Sequence, residues 1–478
     1  ELSFAAARYH VQRVGGALPI TVYSLAPRPN TAALTARLAE VVAVLVREFG
    51  PLPQGEFALV EAPADRAGAA GFDGASLDGM ILATESYLDG PFNMGFFAHE
   101  VGHQWWGVSV RHRGEEGNYL LDEAMAQYGA LQVVEALEGP AAARSFRLLG
   151  YPGVSFTHGL RGYAYLARAG YDYPLAALPD TGYLAQVSHD LADGKGFLVH
   201  DLVARTVGRE RFRAAQQRFL REHAGGEVTF AEWKAAIERA AGRPLDALWR
   251  QWYGRPGLPR FRVEWRQSAG ALEGTIRQEA PFYQATVPLL VRFDEGSFTR
   301  RVAVEGGVTR FRFAVPSAVR AVELDPDALV PRWTDALLAE ASANAGGMRA
   351  YVDAQFRQDP DAARAELERM LREVPQPDLY GTRFGAHYLL GTLAFFANDT
   401  ATARQQFALA LASPTRLADS LPWLYVRLAH IAQREGDEAG MRRALADALS
   451  ADAAGERPSG VAAYIARSFP PAHRAAPP

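Results

Sequence analysis

Residues 96–107 of this 478-residue chain have the sequence FFAHEVGHQWWG, which carries its strongest chemical signal. His99 and His103 are four residues apart, so on a helix both imidazoles lie on one face and can reach the same metal ion. Glu100 follows His99 and can reach a water molecule on that ion. The spacing therefore predicts a helix that carries two zinc ligands and, in Glu100, a general base.

A third ligand is predicted on the helix that follows. Residues 120–128 have the sequence LLDEAMAQY, whose apolar and small residues indicate a second helix packed on the first, with Glu123 near its start. Two histidines and one glutamate leave the fourth zinc position open for water, as catalytic sites require. Because the chain contains no cysteine, any transition metal must be held by His, Asp and Glu. We therefore predict one Zn²⁺ per chain, bound by His99, His103 and Glu123.

The pattern H-E-x-x-H-Q-W-W-G, followed by x-x-E-x-x-A-x-Y, resembles that of the aminopeptidase N-like gluzincin family. Residues 194–199, GKGFLV, are similar to the family's Y-x-K-G helix, and residues 230–253 are similar to the end of its catalytic domain. An alternating pattern follows where the family has a β-sandwich, so the resemblance covers roughly residues 1–330. It implies a thermolysin-like zinc peptidase that hydrolyses peptide substrates in the manner of an aminopeptidase.

The resemblance also implies roles for single residues. Zinc would polarise the scissile carbonyl and acidify a bound water, and Glu100 would take the proton of that water and pass it to the leaving amine. Asp122 is interpreted either as a partner that orients a ligand histidine through its other ring nitrogen, or as a carboxylate at a helix start. Trp105 and Trp106 are predicted to be core residues.

The spacing of the third ligand departs from the family. Nineteen residues separate His103 from Glu123, one more than the family usually has, and the loop Arg111–Gly117 is the expected place of the extra residue. Some bacterial membrane-associated relatives share this longer loop. Asp122 as ligand would restore the usual spacing, but its carboxylate is shorter and faces about 100° away on the helix. Glu123 is therefore the preferred ligand.

The family's anchor for the substrate amino group is also altered. In the family, the glutamate of a G-A-M-E-N motif grips the free amino group, whereas residues 74–79 here have the sequence GASLDG. Asp78 either replaces that glutamate with a shorter reach or is a turn residue before Gly79. An edge strand that carries Ala75 and Gly79 could still pair with a substrate backbone, and Gly74, Ala75 and Asp78 are the candidate substrate-binding residues. The choice between exopeptidase and endopeptidase stays open.

The third departure is Asp193, which stands where the family's Y-x-K-G motif has a tyrosine that stabilises the oxyanion. A carboxylate there would repel the developing charge, and loss of an oxyanion donor commonly costs ~10²–10³ in rate. His189 or Tyr183 could supply a replacement donor. These changes leave a second hypothesis, a catalytically weak or inactive zinc-binding scaffold that binds peptides or protein partners. The retained Glu100 favours the peptidase, because a scaffold needs no general base.

The chain as a whole is predicted to be a multidomain α+β protein. A thermolysin-like zinc metallopeptidase domain is expected over residues 1–255, with strands at 8–14, 18–25, 57–61 and 80–84, a hairpin turn at Gly15-Gly16, a helix ending at Phe49, and a loop over 67–75. Alternating residues predict an antiparallel β-sandwich of six or seven strands over 258–335. An α-helical domain follows over 337–478.

The helical domain contains a weak internal repeat. Leu390-Gly391…Ala410 matches Leu428-Ala429…Ala448 at a shift of 38 residues, which resembles a tetratricopeptide-type helical hairpin. A plain Ala-rich helical bundle is the alternative. The repeat makes this domain the place where a protein partner is expected.

Composition and charge limit the partners and the compartment. With 50 basic and 54 acidic residues, the balance does not indicate nucleic-acid binding. The most apolar helical stretch, 38–46, is far shorter than the ~20 residues of a membrane span. The chain starts at Glu1, so a processed protein or an excised fragment is expected, of periplasmic or membrane-tethered origin by analogy with the bacterial relatives. His158, His200 and the other histidines without a partner at ligand spacing are predicted to be ordinary core or surface residues.

Overall fold

The N-terminal region is built on a mixed β-sheet. The computed structural model describes residues 4–15, 19–63, 74–89, 91–151, 158–268, 270–455 and 459–469. The strands of the sheet and its first helix are β1 His10–Val14, β2 Ile20–Ser24, α1 Thr31–Phe49, β3 Phe57–Ala62, β4 Gly74–Leu77 and β5 Met80–Thr84. The order is β1-β2-β3-β5-β4, with β2, β3 and β5 parallel and β4 antiparallel to β5. Among the described strands, β4 therefore lies at an edge of the sheet.

Most sequence predictions for this sheet are confirmed. β1 and β2 form an antiparallel hairpin, although residues 16–18 of its turn lie outside the described residues. Helix α1 ends at Phe49, and Gly50 follows it at a positive φ of 97°. The predicted loop over 67–75 was wrong at its end, because Gly74 and Ala75 already belong to β4. Residues 67–73 lie outside the described residues.

The next part of the chain is mainly helical. Their bounds are α2 Glu85–Asp89, α3 Met94–Gly102, α4 Glu123–Leu137, α5 Pro140–Leu149, α6 Gly159–Ala169, α7 Tyr183–Leu191, α8 Phe197–Val207, α9 Arg209–Glu222, α10 Phe230–Ala241 and α11 Asp246–Leu248. Two short strands, β6 Arg111–His112 and β7 Glu227–Val228, pair in parallel. Two π-helical segments, Ala192–Gly196 and Trp249–Tyr253, adjoin α8 and α11. Trp105 and Trp106 are buried in this core, as predicted.

The β-sandwich and the helical domain also have the predicted architecture. The strands are β8 Phe261–Ser268, β9 Ala271–Gln278, β10 Ala285–Phe293, β11 Gly296–Val304, β12 Val308–Ala314 and β13 Val319–Leu324, in two three-stranded sheets ordered β12-β9-β8 and β11-β10-β13. The helices are α12 Asp335–Gln355, α13 Pro360–Arg372, α14 Thr382–Phe396, α15 Thr400–Leu411, α16 Leu421–Glu435, α17 Glu438–Ala453 and α18 Val461–Ser468. The multidomain α+β fold class is thus confirmed.

The helical domain is built from helical hairpins with matching caps. Asp399 accepts a hydrogen bond from the backbone N–H of Thr402 at 3.0 Å, and Asp437 accepts one from Gly440 at 2.8 Å. The two caps begin α15 and α17, and they are 38 residues apart, the shift of the predicted repeat. A Cβ on Gly391 would lie 2.5 Å from the ring of Phe407, so this glycine lets α14 and α15 approach closely.

Helix α12 packs on α6 and thereby joins the helical domain to the first domain. The hydroxyl of Tyr165 donates to Oε1 of Glu340 at 2.7 Å, and Arg168 donates to the hydroxyl of Ser342 at 3.0 Å. Within the described ranges, the helices include none with both the length and the apolar character of a membrane span.

Candidate metal centre

Helix α3 presents the two histidines of the H-E-x-x-H sequence. The side chain of Asn93 caps the helix by accepting from the N–H of Phe96 at 3.1 Å, and all residues of α3 are buried. His103 follows the last helical residue, and its N–H bonds to the carbonyl of His99 at 3.3 Å. The Nε2 atoms of His99 and His103 lie 3.1 Å apart. The helix therefore brings the two predicted ligand atoms together.

Glu123, the first residue of α4, completes this cluster. Its Oε2 atom lies 3.4 Å from Nε2 of His99 and 3.4 Å from Nε2 of His103. Around a tetrahedral zinc ion with bonds of about 2.0–2.1 Å, neighbouring ligand atoms are about 3.3–3.4 Å apart. Oε2 is buried and has no hydrogen-bond partner among the described residues. The three residues thus fit a zinc ion in spacing and in donor type.

The outer nitrogens of both histidines are held by other groups. Nδ1 of His99 lies 2.9 Å from Oε1 of Gln127, and Nδ1 of His103 lies 3.1 Å from the carbonyl oxygen of Trp106. Each oxygen accepts a hydrogen bond from Nδ1–H, an arrangement that directs the Nε2 atom of the neutral ring toward a metal. Sequence reasoning missed Gln127, although its position one helical turn after Glu123 was a usable signal.

Asp122 does not take the orienting position that one of its two interpretations gave it. Its carboxylate accepts a hydrogen bond from the backbone N–H of Glu123 at 2.8 Å and caps α4. The nitrogens that it was expected to orient contact Gln127 and Trp106 instead. The structure therefore agrees with the alternative interpretation, a carboxylate at a helix start.

The edge strand β4 lies directly over Glu100. The hydroxyl of Ser76 lies 2.8 Å from Oε2 of Glu100 and 2.6 Å from its carbonyl oxygen. A Cβ on Gly74 would lie 2.5 Å from the ring of Phe96 and 2.9 Å from Oε1 of Glu100, so this glycine lets β4 approach both side chains closely. Ser76 escaped sequence reasoning, because serine at this strand position has no distinctive spacing.

The turn after β4 is attached to the histidine helix. Gln104 accepts from the N–H of Gly79 at 3.0 Å and donates to the carbonyl of Leu77 at 2.9 Å. Asp78 is exposed in this turn, and its carboxylate accepts a hydrogen bond from the side chain of Gln54. This placement matches the interpretation of Asp78 as a turn residue.

A second group of titratable side chains adjoins Glu123. Nε2 of His189 lies 3.2 Å from Oε2 of Glu123, and Nδ1 of His189 lies 3.5 Å from Oδ2 of Asp193. Nε2 of His158 lies 3.6 Å from the same Oδ2 atom. The prediction that His158 is an ordinary core residue overlooked this proximity, because residue 158 is distant in sequence from Asp193.

Tyr183 and Lys195 lie in different surroundings from His189. Tyr183 faces the C-terminal end of α12, where the guanidinium of Arg357 lies 5.4 Å from its ring centroid. Lys195 of the Y-x-K-G-like segment is fully buried and donates from Nζ to the carbonyl of Gly257 at 2.9 Å. Of the two proposed replacement donors, His189 is thus the one that contacts the metal-ligand cluster.

Burial and mutual charge perturb the pKa values of this cluster. Burial alone would raise the pKa of Glu123, but His189 and His103 outweigh it and hold that pKa well below its usual value. Burial alone would lower the pKa of His103, but the Glu123 carboxylate raises it to about 9. Burial raises the pKa of Asp193 to about 6, partly offset by His99 and His189. Glu123 is therefore an anionic donor at neutral pH.

Comparisons with known proteins agree with this geometry. Residues 93–252 match the Peptidase family M1 domain. Over 168 residues the chain is 25% identical to Tricorn protease-interacting factor F2 of Thermoplasma volcanium, which covers 35% of this chain and 20% of that protein. Over 173 residues it is 22% identical to Leucyl aminopeptidase of Saccharolobus solfataricus, and this match also covers 35% of this chain and 20% of that protein. The match thus spans about a fifth of the length of these relatives.

The fold has a solved counterpart. The structure of Legionella pneumophila aminopeptidase A in complex with aspartic acid aligns with 96% of this chain and 59% of that chain, with a TM-score of 0.52 and 15% identity. The fold and the cluster of His99, His103 and Glu123 together resemble a metallopeptidase domain. More narrowly, residues 93–252 are similar to the M1 peptidase domain, and the proteins that the chain resembles include aminopeptidases.

Proposed function

We propose that this protein is a zinc-dependent peptidase with an aminopeptidase-like activity on peptide substrates. His99, His103 and Glu123 would hold one zinc ion, and Glu100 would act as the general base. The observation that carries the proposal is the position of Glu100, which is 7% exposed, directly follows His99 on the histidine helix and has its carboxylate in contact with the hydroxyl of Ser76.

The chemistry divides between the metal and the side chains. When bound, zinc supplies a Lewis acid for the substrate carbonyl and lowers the pKa of water to about 7. Glu100 accepts the proton of the attacking water and delivers it to the leaving amine. The hydroxyl of Ser76 contacts both the carbonyl oxygen and the carboxylate of Glu100 and thereby limits rotation of the carboxylate. Gln127 and the carbonyl of Trp106 hold the imidazole rings in place.

Strand β4 supplies a surface for an extended substrate. It is the last strand in the order of the described sheet, and it adjoins Glu100 through Ser76. A peptide that adds to this edge would form main-chain hydrogen bonds with β4 and lie across the carboxylate. Asp78, which is exposed next to β4, is available as an anchor for a substrate amino group.

The alternative is a zinc-binding scaffold with little or no peptidase activity. A scaffold would require the three ligands, but it would not require a buried carboxylate held at the metal site by an edge strand. The combination of Glu100, Ser76 and Gln104 thus supports the peptidase over the scaffold.

Hydrolysis of matched peptides tests the proposal. One series has a free amino terminus and the other a blocked one, and both are incubated with zinc-loaded protein. We expect cleavage of the free series, and an almost complete loss of it in Glu100→Gln with zinc content unchanged. Cleavage of the blocked series by the wild type alone would replace the aminopeptidase with an endopeptidase. No cleavage of either series by protein with bound zinc would favour the scaffold.

A further inference from the structure

We propose that the hydroxyl of Tyr151 donates a hydrogen bond to the carbonyl oxygen of the scissile peptide bond as that oxygen gains negative charge. The proposal rests on the proposed function, because it assigns a further catalytic residue to the same reaction. Tyr151 lies between α5 and α6, far in sequence from the metal-ligand helices.

The reaction needs a hydrogen-bond donor beside the metal ligands. Addition of water to a peptide carbonyl places negative charge on its oxygen, and loss of a donor to that oxygen costs about 10²–10³ in rate. Glu123 and Asp193 carry carboxylates, which accept rather than donate when ionised. His189 lies with Nε2 3.2 Å from Glu123 and Nδ1 3.5 Å from Asp193. Both of its ring nitrogens thus face carboxylates instead of a substrate.

A glycine in the histidine helix makes room for Tyr151. A Cβ on Gly95 would lie 2.2 Å from the Cβ of Tyr151, so the tyrosine occupies the space of the missing side chain. Gly95 lies about one helical turn before His99. The ring centroid of Tyr151 lies 6.3 Å from that of His99. The tyrosine therefore meets α3 in its first turn and extends toward the proposed metal ligands.

His158 makes a second contact with the tyrosine ring. The two ring centroids lie 5.2 Å apart, and the ring planes are perpendicular. Gly150 allows the close approach of the two segments, since a Cβ at this position would lie 2.5 Å from the Cβ of His158. The ring of Tyr151 is thus positioned by packing and does not depend on a hydrogen bond from its hydroxyl.

The hydroxyl of Tyr151 is a buried polar group without a structural partner. Tyr151 is 8% exposed, and its hydroxyl makes no hydrogen bond within the part of the chain that the structure describes. Buried tyrosine hydroxyls usually have a partner, as that of Tyr163 has in Asp172 and that of Tyr253 has in His200. The hydroxyl of Tyr151 is therefore available to a bound substrate.

The charges that act on this hydroxyl suit a donor at the site. Burial raises the pKa of Tyr151 well above its usual value, and the carboxylates of Asp193, Glu100 and Glu123 raise it further. The hydroxyl therefore keeps its proton across the neutral range. Glu100 and Glu123 belong to the proposed zinc site, so their effect agrees with the direction in which the ring extends along α3.

Steady-state kinetics of the zinc-loaded protein tests the role of the hydroxyl. Tyr151→Phe removes the oxygen and keeps the packed ring, so we expect kcat on a free-amino peptide to fall by about 10²–10³ while KM changes little. Tyr128→Phe is the matched control and should keep the wild-type kcat, because Tyr128 is buried near the charges of Asp201 and Glu48. An unchanged kcat in Tyr151→Phe, with or without a higher KM, would overturn the proposal.

Binding of a phosphinic peptide gives a readout that requires no turnover. Its tetrahedral phosphinate carries charged oxygens like the one that forms during hydrolysis, whereas a peptide thiol binds zinc through sulfur and lacks them. Titration calorimetry should show about 10–100-fold weaker binding of the phosphinic peptide to Tyr151→Phe than to the wild type. The thiol should bind both proteins equally. Equal affinities for the phosphinic peptide would contradict the role of the hydroxyl.

The outcomes separate this proposal from the proposed function. If the wild type binds the phosphinic peptide but cleaves no substrate, the peptidase activity fails, and the difference in affinity alone decides the role of Tyr151. If the wild type and Tyr151→Phe cleave peptides at the same rate, the peptidase stands and Tyr151 is not its oxyanion donor. Circular dichroism and zinc content should be the same in the wild type and both variants.

Discussion

The hydroxyl of Ser76 lies 2.8 Å from the carboxylate of Glu100, so a strand at the sheet edge contacts the residue that we propose as general base. The contact links two elements that are distant in sequence, β4 and α3. Glu100 is thereby held close to both the proposed metal ligands and the edge on which a peptide would lie.

Removal of this hydroxyl should slow catalysis. A hydrogen bond to a charged group contributes about 1.5–3 kcal/mol, so we expect Ser76→Ala to lower kcat by about tenfold or more. KM should change little, because Ser76 acts through Glu100. Steady-state kinetics on a free-amino peptide measures both, and Ser76→Thr, which keeps the hydroxyl, should restore most of the rate. An unchanged kcat in Ser76→Ala would show that Glu100 needs no such partner.

Gln127 should contribute to metal affinity. It accepts from Nδ1 of His99, and loss of such an outer partner typically weakens metal binding by about 10–100-fold. We expect this loss in Gln127→Leu, measured by zinc titration against a competing chelator. Gln132→Leu, at another buried position of the same helix, is the control and should keep the wild-type affinity. Equal affinities in the two variants would contradict the orienting role.

His200 should make the fold sensitive to acid. Its ring is buried between the carbonyl of Leu120 and the hydroxyl of Tyr253, and burial lowers its pKa to about 4. The unfolded chain binds this proton near pH 6.5 and the folded chain near pH 4, so folding stability falls as the pH drops through that window. The loss is about 3 kcal/mol from this group.

The measurement is the free energy of unfolding in urea at pH 7.5 and pH 4.5. In His200→Gln, the free energy of unfolding should differ less between the two pH values than in the wild type. In His10→Gln, it should change with pH as it does in the wild type. An identical pH dependence in His200→Gln and the wild type would refute the assignment.

The helical hairpin should be intolerant of a single methyl group at its closest contact. Gly391→Ala would place a Cβ 2.5 Å from the ring of Phe407, and such overpacking costs about 1–3 kcal/mol. Gly385→Ala, on the same helix, would place its Cβ 3.4 Å from Leu417, an ordinary contact. We expect a lower melting temperature for the first variant and not for the second. The reverse order would mean that α14 and α15 pack differently.

Local sequence patterns predicted the parts of the site that lie within one helical segment. The spacing of His99, Glu100 and His103 is a property of one helix, and Glu123 begins the next, so both could be inferred without the tertiary fold. Alternating apolar residues, helical spacing and the glycines and prolines that end elements likewise predicted the β-sandwich, the first hairpin and the long helix α1.

Contacts between distant segments could not be predicted in this way. Ser76 reaches Glu100 only because a four-residue strand forms within a Gly- and Ala-rich stretch, where periodicity is weak. His158 and Asp193 meet because α6 packs against a π-helical segment. The backbone of that segment has a different number of residues per turn, which sequence patterns do not reveal. Domain boundaries and the protein partner expected at the helical domain stay predictions.

The attachment of β4 to α3 through Gln104 has a consequence for the products. Because side chains alternate between the two faces of a strand, a peptide paired with β4 keeps its side-chain orientation only when it shifts by two residues, about 6.6–6.8 Å. Gln104 holds the strand and the histidine helix together, so the distance from β4 to Glu100 does not adjust to intermediate shifts. A peptide shortened by one residue would therefore have to leave β4 and pair with it again with its two faces exchanged before the next cleavage.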